Sequence, residues 1–141
     1  MSERFVLFKQ YNDLLLEIQS VKDEIKKRED ALAELNEQGL VKDKVYGGEG
    51  GIQGFVIEGF PQREWDRRYQ ALKRSKEKLH QKETDLIEKV TEIDDYINSI
   101  KISRDRIVLK RYFVDGLKQH EIAQELFVER STIAKIIAKY M

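Results

Sequence analysis

Residues 119–141 have the sequence QHEIAQELFVERSTIAKIIAKYM, and the spacing of the apolar residues decides the fold of the C-terminal part of the chain. Ile122 and Leu126 are four residues apart and therefore share one face of a helix. A second helix is indicated by the three-and-four spacing of Ile133, Ile136 and Ile137. The small Ala123 lies where the two helices would cross. The stretch therefore predicts a helix-turn-helix, in which two short helices are joined by a tight turn.

A supporting helix is predicted immediately before this pair, over the sequence SRDRIVLKRYFVDG at residues 103–116. Ser103 is a suitable N-cap, and Gly116 can adopt the left-handed conformation that ends a helix. The predicted buried face of this helix consists of Ile107, Val108, Tyr112 and Phe113. Residues 103–141 are therefore expected to form a trihelical domain.

Basic and hydroxyl side chains dominate the second helix of the pair, and this composition favours DNA binding. The trihelical stretch has eight Lys or Arg against five Asp or Glu, although the whole chain has no net charge. Arg and Lys recognise guanine acceptors, and hydroxyl groups contact phosphates or base edges. The candidates for reading bases are Arg130, Ser131, Thr132 and Lys135. The candidates for contacting phosphates are Lys118, Gln119, His120 and Lys139.

Residues 1–102 are predicted to form a helical stalk, because two long segments without internal Pro carry heptad patterns. The segments span residues 5–38 and 62–101, and Gly39 is expected to close the first of them. The first seam contains Leu7, Tyr11, Leu14, Ile18, Val21, Ile25, Leu32 and Leu35, with Arg28 as a polar interruption. The second contains Trp65, Tyr69, Leu72, Lys76, Leu79, Glu83, Leu86, Val90, Ile93, Ile97 and Ile100. The sequence thus predicts an all-α fold with a long antiparallel coiled-coil hairpin, and self-association into a homodimer or higher oligomer is a competing use of the seams.

A Gly-rich tip is predicted at residues 39–61, between the two long helices. It holds seven of the eight glycines of the chain. One interpretation is a flexible connector. The other is a β-hairpin over Val45 to Glu58 or a binding tip, because the alternating Phe55, Ile57 and Phe60 are unusually apolar for a tether.

Two resemblances follow from these motifs. The segment IVLKRYFVDGLKQHEIAQELFVERSTIAKII looks like region four of bacterial sigma factors, in the form found in small phage-encoded activators. The tract VYGGEGGIQGFVIEGFP, followed by the long basic helix and SRDRIVLKRYF, is similar to phage-associated regulators of the RinA and ArpU type. Together these resemblances imply a sequence-specific DNA-binding regulator. Such a regulator would activate phage or prophage genes with RNA polymerase, in the cytoplasm of a bacterial host.

The turn departs from the usual helix-turn-helix pattern at two positions. Phe127 stands where such motifs commonly have Gly, and a left-handed conformation is costly for a bulky residue. We therefore expect a reshaped turn. Glu129 stands where the second helix would usually have a Ser or Thr N-cap.

The segment from Arg63 to Lys82 is strongly basic, with eight Lys or Arg against three Asp or Glu. A run of this kind is usually a solvated helix face. The alternative is that it adds phosphate contacts to a DNA-binding protein. The nearby acidic residues Glu92, Asp94 and Asp95 are expected to lie on a solvated surface.

The remaining composition argues against several functional classes. The chain has no Cys, and His80 and His120 are 40 residues apart, so neither a metal site nor a cofactor site is expected. No nucleophile with an adjacent base is evident, so the protein is not expected to be an enzyme. Neither a membrane span nor a signal peptide is expected. The alternatives to a regulator are a DNA-packaging protein of the small-terminase type, and an interaction module that binds RNA polymerase without contacting DNA.

Overall fold

The structure, a computed structural model, describes residues 2–48 and 62–141, and it describes the side chains of 2–38 and 62–141. These ranges contain six α-helices and no strand. The helices are α1 (Glu3–Lys9), α2 (Tyr11–Gly48), α3 (Gln62–Ser99), α4 (Ser103–Leu109), α5 (Gln119–Leu126) and α6 (Arg130–Tyr140). A π-helical segment, Lys110–Val114, continues α4. The predicted all-α class is confirmed.

The first predicted helix differs from the observed one at both ends. It is divided at Gln10, whose N–H donates to the carbonyl of Leu7 at 3.1 Å and ends α1. At its other end α2 continues through Gly39 to Gly48, so the predicted closure at Gly39 is wrong. A helical Gly costs only about 1 kcal/mol relative to Ala, which a long helix tolerates.

The helical backbone of residues 39–48 also shortens the predicted Gly-rich tip. The first four residues of the proposed β-hairpin, Val45 to Gly48, belong to α2. The rest of that hairpin, including Phe55, Ile57 and Phe60, lies outside the described residues.

The chain forms two compact units, and the first is Ser20–Thr84. In this unit α2 and α3 pack side by side in opposite directions. The indole Nε1 of Trp65 donates to the carbonyl of Leu35 at 3.0 Å, and Arg28 Nε donates to Ser75 Oγ at 3.0 Å. The contacting residue number on α3 rises from 65 to 75 while the contacting residue number on α2 falls from 35 to 28, so the two helices are antiparallel. The predicted antiparallel hairpin is confirmed, and Ser75 explains how the polar Arg28 fits into the seam.

The second compact unit joins Met1–Gln19 with Asp85–Met141. The ring of Phe8 makes edge-to-face contacts with Tyr96 and Phe113, each with ring centres 5.5 Å apart. The most deeply buried side chains of this unit are Phe8, Ile93, Val108, Leu109, Ile122 and Ile133. This division differs from the predicted boundary at residue 102, because α1 and the end of α3 share a core with α4, α5 and α6.

The supporting helix α4 begins and packs differently from the prediction. Ser103 is its first helical residue, and the N-cap is Ile102, which provides no side-chain hydrogen bond. Val108 and Phe113 are buried as predicted, but Ile107 is 37% exposed and Leu109 takes its place in the core. Asp105, Val108, Leu109 and Phe113 are buried and lie at i, i+3, i+4 and i+8, which is the spacing of one helical face. Ile107 lies outside that face.

Candidate nucleic-acid interface

The turn between α5 and α6 has the left-handed geometry of an ordinary helix-turn-helix. Phe127 adopts φ 58° and ψ 41°, and its side chain is 95% exposed. The N–H of Val128 donates to the carbonyl of Ala123 at 3.0 Å and closes the turn. The expected reshaping is therefore not observed, since Phe127 accepts the left-handed conformation that Gly would adopt without strain.

Apolar residues fix α5 and α6 against each other, as the sequence predicted. Ile122, Ala123, Ile133, Ile136 and Ile137 are all buried, whereas Leu126 is half-buried. Glu121 secures the beginning of α5, because its carboxylate accepts a hydrogen bond of 3.0 Å from the backbone N–H of Lys118. The two helices therefore present their polar faces from a shared apolar core.

The solvent face of α6 carries basic, hydroxyl and very small side chains. Arg130, Ser131 and Lys135 are exposed, and Thr132 is half-buried. Ala134 and Ala138 are also exposed on this face. The helix contains no Asp or Glu, and the carboxylate of the preceding Glu129 accepts a long hydrogen bond of 3.5 Å from the hydroxyl of Ser131. Such a face can approach another surface closely while presenting hydrogen-bond donors.

An open groove brings the beginning of α5 next to the beginning of α6. It has a volume of about 430 Å³. Its lining residues are Lys9, Asn12, Tyr112, Phe113, Gly116, Leu117, Lys118, Gln119, His120 and Arg130. Three of the four predicted phosphate contacts thus lie beside one predicted base-reading residue.

Lys9 also lines the groove, although it is not among the residues predicted to contact DNA. Its ammonium group lies 4.3 Å from the centre of the Tyr112 ring, which is a cation–π contact. No local sequence pattern points to this residue, because Lys9 lies in α1, more than 100 positions before the helix-turn-helix.

Lys139, the fourth predicted phosphate contact, does not line the groove. Its ammonium nitrogen lies 3.4 Å from a carboxylate oxygen of Asp105, which is only 3% exposed. The adjacent Tyr140 and the hydrogen bond to Asp105 raise the pKa of Lys139. The charge of Lys139 is therefore already paired within the protein, and Asp105 is a buried polar residue that the sequence analysis missed.

Arg111 is also committed to internal contacts. Its guanidinium group donates to Asp115 at 2.8 Å and to Glu125 at 3.1 Å, and these two carboxylates raise its pKa. The pair with Glu125 joins the π-helical segment to α5. Arg111 thus supports the helix-turn-helix instead of extending its basic surface.

Asp94 does not have the solvated environment expected from the sequence. It is half-buried and accepts a hydrogen bond of 3.0 Å from the hydroxyl of Tyr11. Burial, the hydrogen bond to Asp94 and the negative charge of Asp94 raise the pKa of Tyr11 to about 12. This contact joins the beginning of α2 to the end of α3.

The described part of the chain offers neither a metal cluster nor a membrane span. Within residues 2–48 and 62–141, no three His, Asp or Glu side chains are grouped as metal ligands. None of the helices in these ranges has the length and apolar character needed to cross a bilayer.

The structure defines the chain as an all-α protein with a helical hairpin and a helix-turn-helix. The chain belongs to a family described as protein of unknown function, DUF1492, whose sequence model matches residues 35–139. No curated protein and no solved structure matches the chain.

Proposed function

We propose that the protein binds double-stranded DNA in a sequence-specific manner and regulates transcription. The observation that carries this proposal is the solvent face of α6. It presents Arg130, Ser131 and Lys135 beside the exposed Ala134, without any carboxylate in the helix. Small side chains permit close approach to the major groove, and the cationic donors fit guanine O6 and N7.

The positions of the hydrogen-bond donors separate residues that would contact bases from residues that would contact phosphates. In helix-turn-helix proteins, the N-terminal residues of the second helix contact base edges, while the first helix crosses the phosphate backbone. Arg130, Ser131, Thr132 and Lys135 are the base-reading set. Lys118, Gln119 and His120 line the groove at the beginning of α5 and form the phosphate set, together with Lys9.

Charge compensation supports this assignment. Arg111 and Lys139 are paired with carboxylates, whereas Arg130, Lys135 and Lys118 form no ion pair in the described part of the chain. Cations that have no internal partner remain available to neutralise phosphates or contact bases. The arrangement favours Arg130, Lys135 and Lys118 over Lys139 as DNA contacts.

The biological setting is proposed from the resemblance to phage regulators. The protein would act as an activator of phage or prophage genes together with RNA polymerase, in the cytoplasm of a bacterial host. Such an activity requires DNA and protein partners but neither a catalytic centre nor a cofactor.

The test is binding to DNA sites selected from a random duplex pool and to scrambled duplexes. Arg130→Ala and Lys135→Ala are each expected to cost about 1–3 kcal/mol on the selected site and to weaken the preference for it. Lys118→Ala is expected to weaken binding to both duplexes by the same factor. It should also lower the slope of log affinity against log salt concentration by about one. Lys89→Ala, which removes an exposed cation from α3, is the matched control and should change neither quantity.

Two results would contradict the proposal. If the wild-type protein selects no sequence, it does not bind DNA specifically. If Arg130→Ala and Lys135→Ala leave affinity and preference unchanged, α6 does not contact bases, and a protein-binding module becomes the better account. A molecular mass in solution that corresponds to a ring of several copies of the chain would favour the DNA-packaging alternative.

A further inference from the structure

The outer face of α3 within the unit Ser20–Thr84 carries a row of cations without a carboxylate between them. Arg63, Arg67, Arg74 and Lys78 follow one another at intervals of four, seven and four residues. At about 100° per residue, these positions fall within about 60° of one another around the helix. Trp65 and Leu72 lie on the opposite side, and Trp65 donates its hydrogen bond to α2.

The four cations, which we call the outer row, have no internal partners. All four are exposed, and none makes an ion pair or a side-chain hydrogen bond with another described residue. Neutral Gln70 and Ala71 occupy the same face between them.

Neighbouring carboxylates lie elsewhere or are already engaged. Glu64 accepts a hydrogen bond of 2.7 Å from Arg68, and Asp66 accepts one of 3.2 Å from Gln62. Glu29 of α2 lies 3.9 Å from Lys76. Glu77 lies on the flank, about 70° around the helix from the middle of the outer row. The positive charge of the outer row is therefore not neutralised along its own face.

The dimensions and chemistry of the outer row fit a continuous polyanion. Fifteen residues separate Arg63 from Lys78, which corresponds to about 22 Å along a helix. Duplex DNA offers phosphates continuously over such a length. Three of the four residues are Arg, whose planar guanidinium group binds phosphate with two hydrogen bonds.

A membrane surface fits the outer row less well. Interfacial helices insert a large apolar face into the lipid, next to their basic residues. The side of α3 that carries Trp65 and Leu72 is turned toward α2, and only Ala71 adds an apolar side chain to the outer row. A duplex needs no apolar contact and is the better match.

We infer that the outer row, Arg63, Arg67, Arg74 and Lys78, is a second DNA-contact surface that binds the phosphate backbone without reading sequence. The inference rests on the proposed function, because the same duplex is the ligand of α6. The outer row would add a sequence-independent component to the affinity for DNA, separate from that of the helix-turn-helix. This is the role of the basic half of α3.

The experiment compares the full-length wild type with a fourfold variant, Arg63→Gln, Arg67→Gln, Arg74→Gln and Lys78→Gln. Affinity is measured for the selected and the scrambled duplex over a series of salt concentrations. The slope of log affinity against log salt is expected to fall by about three to four, because each phosphate contact contributes about 0.9. Both duplexes should lose affinity by the same factor, so that the preference is retained.

The matched control is Lys22→Gln, Lys26→Gln, Lys27→Gln and Lys89→Gln. These four exposed residues lie off the outer row, and their replacement makes the same change in net charge. The control is expected to change the slope by less than about one. Circular dichroism spectra that match the wild type establish that both variants are folded.

The outcomes separate this inference from the proposed function. A wild type that binds no duplex overturns both. A wild type that binds with preference, combined with an unchanged slope in the outer-row variant, overturns only the second contact surface. An equal loss of slope in the control shows a general charge effect and also overturns it. Binding of the wild type to anionic vesicles that the outer-row variant loses, without any change in the duplex slope, assigns the row to a membrane instead.

Discussion

The hydroxyl of Tyr140, near the end of α6, hydrogen-bonds the carboxylate of Asp105 in α4. Asp105 is 3% exposed, and the ammonium group of Lys139 lies 3.4 Å from the same carboxylate. The backbone carbonyl of Tyr140 accepts further hydrogen bonds from Arg4 at 2.9 Å and from the hydroxyl of Tyr96 at 2.8 Å. Carbonyls in the last turn of a helix lack partners within that helix. These contacts from α1, α3 and α4 therefore fix the end of α6.

Replacing Asp105 tests this arrangement. Asp105→Ala is expected to lower the free energy of unfolding by about 1 kcal/mol, because it removes the hydrogen bond that the hydroxyl of Tyr140 donates to the buried Asp105 carboxylate. Asp105→Asn retains an acceptor and should cost less. Urea unfolding measures both, with the exposed Asp95→Ala as control, for which a change within about 0.5 kcal/mol is expected. Equal effects at Asp105 and Asp95 would show that the buried contact contributes nothing to stability.

Phe127 stores backbone strain in the turn between α5 and α6. Its φ is 58°, and its side chain is 95% exposed, so no burial offsets the cost of the left-handed conformation. Phe127→Gly is expected to raise the free energy of unfolding by about 1 kcal/mol. Phe127→Ala keeps the Cβ atom and therefore the strain, so thermal unfolding of this control should resemble the wild type. Equal stability of the Gly and Ala variants would mean that the conformation of Phe127 is not strained.

Local spacing was sufficient to predict the helices and their inward faces. The step from Ile122 to Leu126 and the heptads containing Leu35 and Trp65 are properties of neighbouring residues, and the structure reproduces the helix pair and the hairpin. The left-handed stop at Gly116, with φ 73°, was predictable for the same reason. DNA contact by Arg130 and its neighbours stays a prediction.

Features that depend on distant residues were not predictable from local patterns. Asp105 looks like an ordinary surface residue in SRDRIVLK, and only Tyr140, 35 positions later, shows why it is buried. The division at Gln10 is similar, because the helical pattern continues through it. The i to i+5 hydrogen bonding of the π-helical segment at Lys110–Val114 is likewise absent from the regular helical pattern of the sequence.

The tyrosine at position 11 gives the fold a dependence on alkaline pH. Burial and the hydrogen bond to Asp94 raise the pKa of Tyr11 to about 12, whereas an unfolded tyrosine ionises near pH 10. The protonated form is therefore favoured by folding. Its stabilisation is fully present below about pH 10 and is lost as the pH rises through about 12.

Tyr11→Phe isolates this effect. The stability advantage of the wild type over Tyr11→Phe, measured by urea unfolding, should decline from about pH 10 and disappear near pH 12. Ultraviolet titration of the folded proteins should show that the variant has lost a tyrosine that ionises near pH 12. A constant difference in stability from pH 8 to pH 12 would contradict the assigned pKa of Tyr11.

Replacement of Phe8 tests whether the helix-turn-helix is an independent domain or part of a larger core. The ring is 2% exposed and contacts Phe113, whose ring also meets Phe5 with centres 5.9 Å apart. Phe8→Ala removes a buried aromatic side chain and is expected to cost about 3–5 kcal/mol. Because α1 shares one core with the C-terminal helices, this loss of stability should also reduce the protection of the backbone amides of α5 and α6 from hydrogen exchange. Hydrogen exchange should therefore accelerate at residues 119–140 in Phe8→Ala but not in the control Phe127→Ala, which truncates an exposed Phe. Unchanged protection of residues 119–140 in a destabilised Phe8→Ala would instead support the boundary at residue 102 and a helix-turn-helix that folds without α1.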